Sequence, residues 1–160
     1  MSYLKSVWVA AAMLASVQSG TAQAACWSDG DAAAAQVREM ETMMMVGALR
    51  CRIANGNAML TSYNAFIRAG RPALTQANDR LRTHFDSAGS GLNGYDRYVT
   101  SLANRYGAGA DGLSCGELAS LIQAATSEAT TLAGLQGLAN EVGIGADLPG
   151  GRCAVKIAGR

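Results

Sequence analysis

Apolar side chains recur every three or four positions over most of the chain, the spacing that gathers them on one face of an α-helix. Ser28 resembles a helix N-cap, Asp31 adds an acid to the first turn, and Asn55-Gly56-Asn57 has the composition of a left-handed C-terminal cap. These signals predict a first helix from about Asp29 to Asn55. Its apolar stripe consists of Ala33, Val37, Met40, Met44, Gly47 and Cys51.

Three further helical segments share this spacing. The first of them is broken at Gly70-Arg71-Pro72, because proline has no N–H to donate within a helix. A shorter segment covers Tyr95 to Tyr106. The last begins at the capping box Ser114-x-x-Glu117 and continues to Val142, weakened at Thr130-Thr131. No stretch alternates with a period of two for long enough to predict a strand, so we expect an all-α, up-down helical bundle of four to five helices.

The N-terminus has the order of features found in a secretory signal peptide. Lys5 gives a weakly positive start, Val7 to Ala15 is an apolar run of nine residues, and Ala22-Gln23-Ala24 offers small residues at a cleavage site. The pattern predicts a signal peptide over residues 1–24 and a single helical domain over residues 25–160.

Two alternatives concern the residue at which the exported chain begins. Ala25 is a close alternative to Ala24 as the last residue removed. Lipidation of Cys26 is the other, although a lipoprotein signal has an aliphatic residue where Gln23 stands. Export predicts a periplasmic or secreted protein.

The mature chain carries no excess charge. Removal of residues 1–24 takes away Lys5 and leaves 12 basic and 12 acidic residues, so the net charge is zero. Such a chain has no global attraction to nucleic acid or to membrane surfaces. No second apolar stretch approaches the roughly 20 residues of a spanning helix. We therefore predict no nucleic-acid partner and no transmembrane segment in the mature chain.

The four cysteines all lie in the mature chain, and an even number in a small exported protein indicates disulfides. Cys26 and Cys51 lie at opposite ends of the first predicted helix, about 35 Å apart, which is too far for a disulfide. An unbroken first helix places Cys51 at the same end of the bundle as Cys115, and leaves Cys26 beside Cys153. We predict the disulfides Cys51–Cys115 and Cys26–Cys153, provided that the first helix is not broken near Gly47.

Three glycine-containing stretches match motifs of nucleotide-binding or catalytic proteins. Gly89 to Gly94 and Gly107 to Gly112 both fit G-x-G-x-x-G, but each follows a helical segment rather than a strand, which favours interhelical loops. Gly112 to Gly116 fits G-x-S-x-G, yet no strand precedes Ser114 and no histidine follows it. Ser114 is therefore interpreted as a helix N-cap, and no cofactor is predicted.

The single histidine, His84, lies beside Leu81 and Phe85 at the edge of an apolar face. A histidine in that place is usually a residue of the core rim, although general acid/base work by His84 in a small hydrolase stays open. Met40 and Met43 to Met45 cluster on the first predicted helix. They are interpreted as core fillers rather than as copper ligands, and no metal site is predicted.

Charge is distributed unevenly along the mature chain. The stretch from Arg50 to Arg105 contains eight arginines and three aspartates, a net charge of +5. One interpretation is electrostatic pairing of the middle helices with the outer ones. The other is an arginine face that binds an anionic partner, namely lipopolysaccharide, a cell-wall carboxylate or an acidic protein surface. It lies near the loop that joins the first predicted helix to the second. That face consists of Arg50, Arg52, Arg68 and Arg71.

Four short stretches carry a family resemblance. They are Met43-Met44-Met45-Val46, Leu49-Arg50-Cys51-Arg52, Tyr63-Asn64-Ala65-Phe66 and Asn78-Asp79-Arg80-Leu81. The chain resembles a family from alphaproteobacteria of the sphingomonad type, which implies a small exported helical protein with four cysteines and no established function. Some members carry the name S-adenosylhomocysteine hydrolase. This chain lacks the length of that enzyme and a strand before its glycines, so no catalytic residue is carried over.

These patterns favour an exported, non-enzymatic helical protein that binds a partner or supports the cell envelope. A small periplasmic hydrolase that uses His84 is one alternative, and an inhibitor of a cell-wall-degrading enzyme is another. A compact cleft around His84 favours the enzyme. An exposed apolar or arginine-lined face favours the binding protein.

Overall fold

The computed structural model of the chain describes residues 26–55, 57–107 and 113–154. The predicted signal peptide, residues 1–24, lies outside the described residues, as do residues 155–160 and most of the second G-x-G-x-x-G stretch. Within the described part every regular element is an α-helix, and none of these helices is long and apolar enough to cross a membrane. The predicted all-α class is confirmed.

The described chain contains six helices. They are α1 (Asp29–Asn55), α2 (Ala58–Ala69), α3 (Arg71–Ser87), α4 (Gly91–Gly107), α5 (Cys115–Glu128) and α6 (Leu132–Glu141). The first helix has the predicted bounds, and the predicted break at Gly70 separates α2 from α3. The last predicted helix is divided into α5 and α6, so the described chain has six helices where the sequence predicts four to five.

Helix α1 is the centre of the fold, because all five other helices pack against it. Residues 32–37 are buried on every side of the helix. A helix enclosed in this way has no solvent face, and its alanines let the neighbouring helices approach closely. The predicted apolar stripe is therefore only part of the buried surface of α1, which also encloses Gln36, Glu39 and Thr42.

Gly70 joins α2 to α3 almost without a loop. Its N–H donates to the Phe66 carbonyl at 2.8 Å, and its own carbonyl accepts from the Leu74 N–H at 2.9 Å. Pro72 lies in the first turn of α3, where a missing N–H costs nothing. A Cβ at position 70 would lie 3.2 Å from the Ala129 Cβ, so the close approach of the α5–α6 turn favours glycine there.

Thr131 divides the last predicted helix. Its backbone is extended, with φ −137° and ψ 153°, and its hydroxyl accepts a hydrogen bond from the Gly134 N–H at 3.0 Å. This side chain starts α6 as a new helix, and α6 then packs beside α5. Local competition between a capping hydroxyl and the continuing helix explains a break that the apolar spacing does not reveal.

The segment after α6 returns along α1 to the start of the domain. The Trp27 N–H donates to the Gly151 carbonyl at 3.0 Å, and the Cys153 N–H donates to the Trp27 carbonyl at 2.9 Å. The Trp27 indole N–H donates to the Pro149 carbonyl at 2.9 Å. The predicted disulfide Cys26–Cys153 closes this contact with a Cα–Cα distance of 4.7 Å, so the two ends of the described chain lie side by side.

The second predicted disulfide, Cys51–Cys115, joins the opposite end of α1 to the start of α5 with a Cα–Cα distance of 5.7 Å. Helix α1 continues without a break through Gly47, which is the condition on which the pairing depends. A Cβ at Gly47 would lie 2.6 Å from a Leu118 side-chain carbon, so glycine lets α5 pack closely here. Both predicted pairings are confirmed.

Candidate binding surface

His84 lies in an aromatic cluster at the end of the bundle that carries Cys26–Cys153. Its imidazole stacks on the Trp27 indole with ring centroids 3.8 Å apart, and the residue is only 7% exposed. Phe85 and Tyr98 pack against the same indole. We call this region the closed end, defined by Trp27, His84, Phe85, Tyr98 and the Cys26–Cys153 disulfide.

The polar neighbours of His84 are arranged around a carboxylate rather than around the imidazole. His84 Nδ1 lies 3.6 Å from Asp31 Oδ2, and the Ser28 hydroxyl donates to that same oxygen at 2.6 Å. A hydrolytic serine–histidine pair has the hydroxyl on the imidazole. Arg80 Nε donates to the other Asp31 oxygen at 3.3 Å. Asp31 therefore ties the end of α3 to the start of α1, which favours a structural role for this cluster.

A second polar cluster surrounds Glu39, which is 2% exposed within α1. Its carboxylate accepts hydrogen bonds from Arg105 Nη1 at 2.5 Å and from the Tyr106 hydroxyl at 2.9 Å. It also accepts from the Asp147 backbone N–H at 3.0 Å, and Arg105 Nη2 donates to the Asp147 carboxylate at 2.6 Å. Glu39 thus joins α1, α4 and the C-terminal segment.

Burial and neighbouring carboxylates raise the pKa of three tyrosine side chains. Burial, followed by the hydrogen bond to Glu39 and its charge, raises the pKa of Tyr106. Burial, followed by the charges of Glu39 and Asp147, raises the pKa of Tyr98. Burial beside Glu41 raises the pKa of Tyr63 on α2. These tyrosines therefore keep their protons above the pH at which an exposed phenol releases its own.

Ser114 caps α5, as the sequence predicts. Its hydroxyl accepts from the Glu117 N–H at 3.3 Å, and its N–H donates to the Glu117 carboxylate at 2.8 Å. Hydrogen bonds from the Ser114 hydroxyl and N–H lower the pKa of Glu117. The G-x-S-x-G stretch is thus a helix start whose serine is engaged in the cap.

The thiols and thioethers are used in the scaffold. All four cysteines are in disulfides. Met40, Met43 and Met44 are buried, and Met45 packs against the core from a half-buried position. Among the residues that the structure describes, no three His, Cys, Asp or Glu side chains are grouped to hold a metal ion.

The four arginines of the predicted anion-binding face are all exposed, and the structure divides them into two pairs. Arg50 and Arg52 lie near the end of α1, whereas Arg68 and Arg71 flank Gly70 at the far end of α2, a helix of 12 residues and about 18 Å. None of the four forms an ion pair with a carboxylate of the described chain. The arginines that do are Arg38, Arg80, Arg105 and Arg152.

Large apolar side chains are exposed mainly at the end of the bundle opposite the closed end. Five are exposed in the described chain, and three of them, Leu49, Ile53 and Leu113, lie at that end. Leu92 lies at the start of α4, and Val142 follows α6 between Asn140 and Ile144, which accept hydrogen bonds from Gln36 in the first third of α1. Ile53 is 96% exposed. We call this region the open end, defined by Leu49, Ile53 and Leu113 with Arg50 and Arg52.

Two adjoining cavities belong to the open end. One has a volume of about 250 Å³ and lies at the Cys51–Cys115 disulfide, between Arg50 on α1 and Leu118 on α5. The other has a volume of about 350 Å³ and is an apolar groove between α5 and α6 that includes Val142. Leu113 lines both cavities, so they adjoin each other at this side chain.

Helical geometry places an apolar stripe between the two arginines of the open end. At about 100° per residue, Leu49 and Ile53 lie about 40° apart on α1, and each lies about 60° from one arginine. The stripe faces away from Cys51, which is buried. Arg50 and Arg52 are predicted site residues, whereas Leu49 and Ile53 are not. The sequence feature that could have identified Leu49 and Ile53 is that both are large apolar residues outside the apolar stripe of the first predicted helix.

Comparison of the chain with family models, with curated proteins and with solved structures finds no match.

Proposed function

We propose that the protein is an exported, non-enzymatic binding module whose recognition surface is the open end. The observation that carries this proposal is the exposure of Leu49, Ile53 and Leu113 at one end of the bundle, where two adjoining cavities lie beside Leu113. Contiguous apolar surface is costly to expose to water, and in soluble proteins it marks sites where another molecule binds.

The reactive side chains support binding rather than catalysis. His84 is stacked on Trp27, the cysteines are in disulfides, and Glu39 is enclosed by its hydrogen-bond partners. Each of these groups holds parts of the fold together. The open end instead presents side chains that the described chain leaves exposed.

The two disulfides support the exported part of the proposal, because such bonds persist in oxidising compartments. Mass spectrometry of the protein recovered from periplasm or medium tests it directly. We expect a mature N-terminus at Ala25 or Cys26 with both disulfides intact. An uncleaved Met1 on a chain with free thiols contradicts export.

Site-specific photocrosslinking tests the recognition surface. A p-benzoylphenylalanine at position 53 is compared with the same group at position 92, because both positions carry exposed aliphatic residues but lie in different regions. In cells of the natural host, we expect a light-dependent adduct of defined mass from position 53 and none from position 92. Excess wild-type protein competes for the adduct, whereas an L49S/I53S variant competes poorly and L92S competes normally.

Two results contradict the proposed function. One is the absence of any adduct from position 53 in protein that is folded and correctly localised. The other is an equal yield from positions 53 and 92, because random collision produces such a pattern and a recognition surface does not.

A further inference from the structure

We infer that the open end binds an acidic segment of another protein, one that presents an aliphatic side chain flanked by carboxylates. This inference rests on the proposed function and adds the chemistry of the partner. It follows from the charge beside the apolar stripe, the size of the cavity and the shape of the surface.

The charge beside the stripe is positive and uncompensated within the described chain. Arg50 and Arg52 flank Leu49 and Ile53, and neither arginine is among those that pair with a carboxylate in the described residues. Glu117, which lines the groove, is already held by Ser114. A partner with carboxylates on both sides of an apolar contact therefore complements this surface.

The cavity beside Arg50 has the size of a site for a side chain. Its volume of about 250 Å³ lies below the roughly 300–1,000 Å³ typical of small-molecule sites. Leu118 and Met43 supply an apolar lining, and Arg50 lies at the same cavity. An aliphatic side chain can enter here while a neighbouring carboxylate meets the guanidinium.

The shape of the surface favours a protein over a lipid. Ile53 is 96% exposed and is not part of the lining of either cavity, so it projects from the end of α1. A lipid chain needs a depression, whereas the stripe of Leu49 and Ile53 is a convex face of α1 against which the surface of another protein can pack.

A second copy of this chain is a less complementary occupant. A twofold contact uses the same patch on both molecules, so Arg50 and Arg52 of each copy enter one interface. Like charges brought together in this way weaken association between two copies.

Charge reversal in the crosslinking experiment tests the inference. The variant R50E/R52E is compared with R68E/R71E, which makes the same change in charge at the other exposed arginine pair. With p-benzoylphenylalanine at position 53, we expect R50E/R52E to lower the adduct yield at least about tenfold and R68E/R71E to leave it within about twofold. R50K/R52K keeps the charge and should retain most of the adduct. Circular dichroism confirms that each variant is folded.

The identity of the adduct completes the test. The inference expects a partner peptide with Asp or Glu next to the crosslinked position, and a yield that falls as salt is raised. If R50E/R52E gives the same adduct yield as the unreversed protein, the inference of an acidic partner is wrong, and the proposed function is not affected. An adduct with a second copy of this chain, or with a lipid, overturns that inference as well. The absence of an adduct from position 53 in the unreversed protein contradicts the proposed function itself.

Discussion

The closed end and the open end are each stapled by a disulfide, yet they use their apolar side chains in opposite ways. At the closed end, Trp27 is buried against His84, Phe85 and Tyr98, and its backbone is hydrogen-bonded to the C-terminal segment. At the open end, the last two turns of α1 leave Ile53 almost fully exposed. The same helix is therefore enclosed over residues 32–37 and reaches the surface in its last two turns.

The closed end and the open end differ in what their side chains contribute to the stability of the domain. Burial of aromatic surface and satisfaction of backbone groups at the closed end contribute to the stability of the fold. Exposed aliphatic surface at the open end adds little to the stability of the isolated chain, and its burial against the proposed partner would be favourable. Substitutions at the two ends should therefore differ in kind, with stability lost at one and binding lost at the other.

Removal of the disulfides should give the largest effects. On the chain-entropy model, C51A/C115A lowers the free energy of unfolding by about 4 kcal/mol for a separation of 64. C26A/C153A should also cost about 4 kcal/mol, because the inner bond shortens the loop of 127 residues by 64. Urea unfolding of both variants measures the two losses. A larger loss from C51A/C115A would show that the open end, and not the closed end, dominates stability.

Side-chain truncation should sharpen the contrast. Trp27→Ala removes a fully buried indole and its stacking on His84, so we expect a loss of about 3–5 kcal/mol. Ile53→Ala should change stability by less than about 0.5 kcal/mol, because the side chain is exposed. Thermal and urea unfolding of the pair provide the measurement. An equal loss of stability from Trp27→Ala and Ile53→Ala contradicts the view that the closed end, and not the open end, stabilises the fold.

Glu39→Gln tests the link that runs from the closed end along the C-terminal segment. The change keeps the shape but removes the charge that accepts from Arg105, Tyr106 and the Asp147 N–H. We expect a loss of about 2 kcal/mol, reduced because Arg105 is partly exposed to solvent. Glu141→Gln, at an exposed position, is the control and should lie within about 0.5 kcal/mol of wild type. A loss no larger than that of the control means that Glu39 does not hold this segment.

Alkaline titration should give the most gradual effect. Tyr63, Tyr98 and Tyr106 have a pKa above the ordinary 10.0 in the folded protein, so the native state holds protons that the unfolded chain releases. The contribution of these three tyrosines to the free energy of unfolding is therefore complete below about pH 10 and decreases as the pH rises further. We expect most of the phenolate absorbance to appear together with the loss of helical circular dichroism. Its full appearance before unfolding contradicts these shifts.

The sequence predicts the scaffold well where one physical constraint acts alone. The bounds of α1 follow from its caps and apolar spacing, and the disulfide pairs follow from the length of an unbroken α1. The division of the last helix is harder to predict, because Thr131 competes locally with helix continuation while the apolar spacing runs on past it.

A sequence shows the apolar period of a helix more clearly than it shows which other helices surround that helix. A stripe identifies one buried face, but α1 is enclosed by five helices, and nothing in the spacing marks Glu39 as buried. The same limit applies to the predicted arginine face. Its members lie at the two ends of α2, a separation that depends on how α1 and α2 pack.

The nesting of the two disulfides has a consequence for biosynthesis. A chain that enters an oxidising compartment with its N-terminus first exposes Cys26 and Cys51 long before Cys153 arrives. Pairing in order of arrival would join Cys26 to Cys51, which is not a native bond. Once folded, α1 prevents that mistake, because its 27 residues hold its ends about 40 Å apart. Early folding of α1 would keep Cys26 from pairing with Cys51 until Cys153 has entered the compartment.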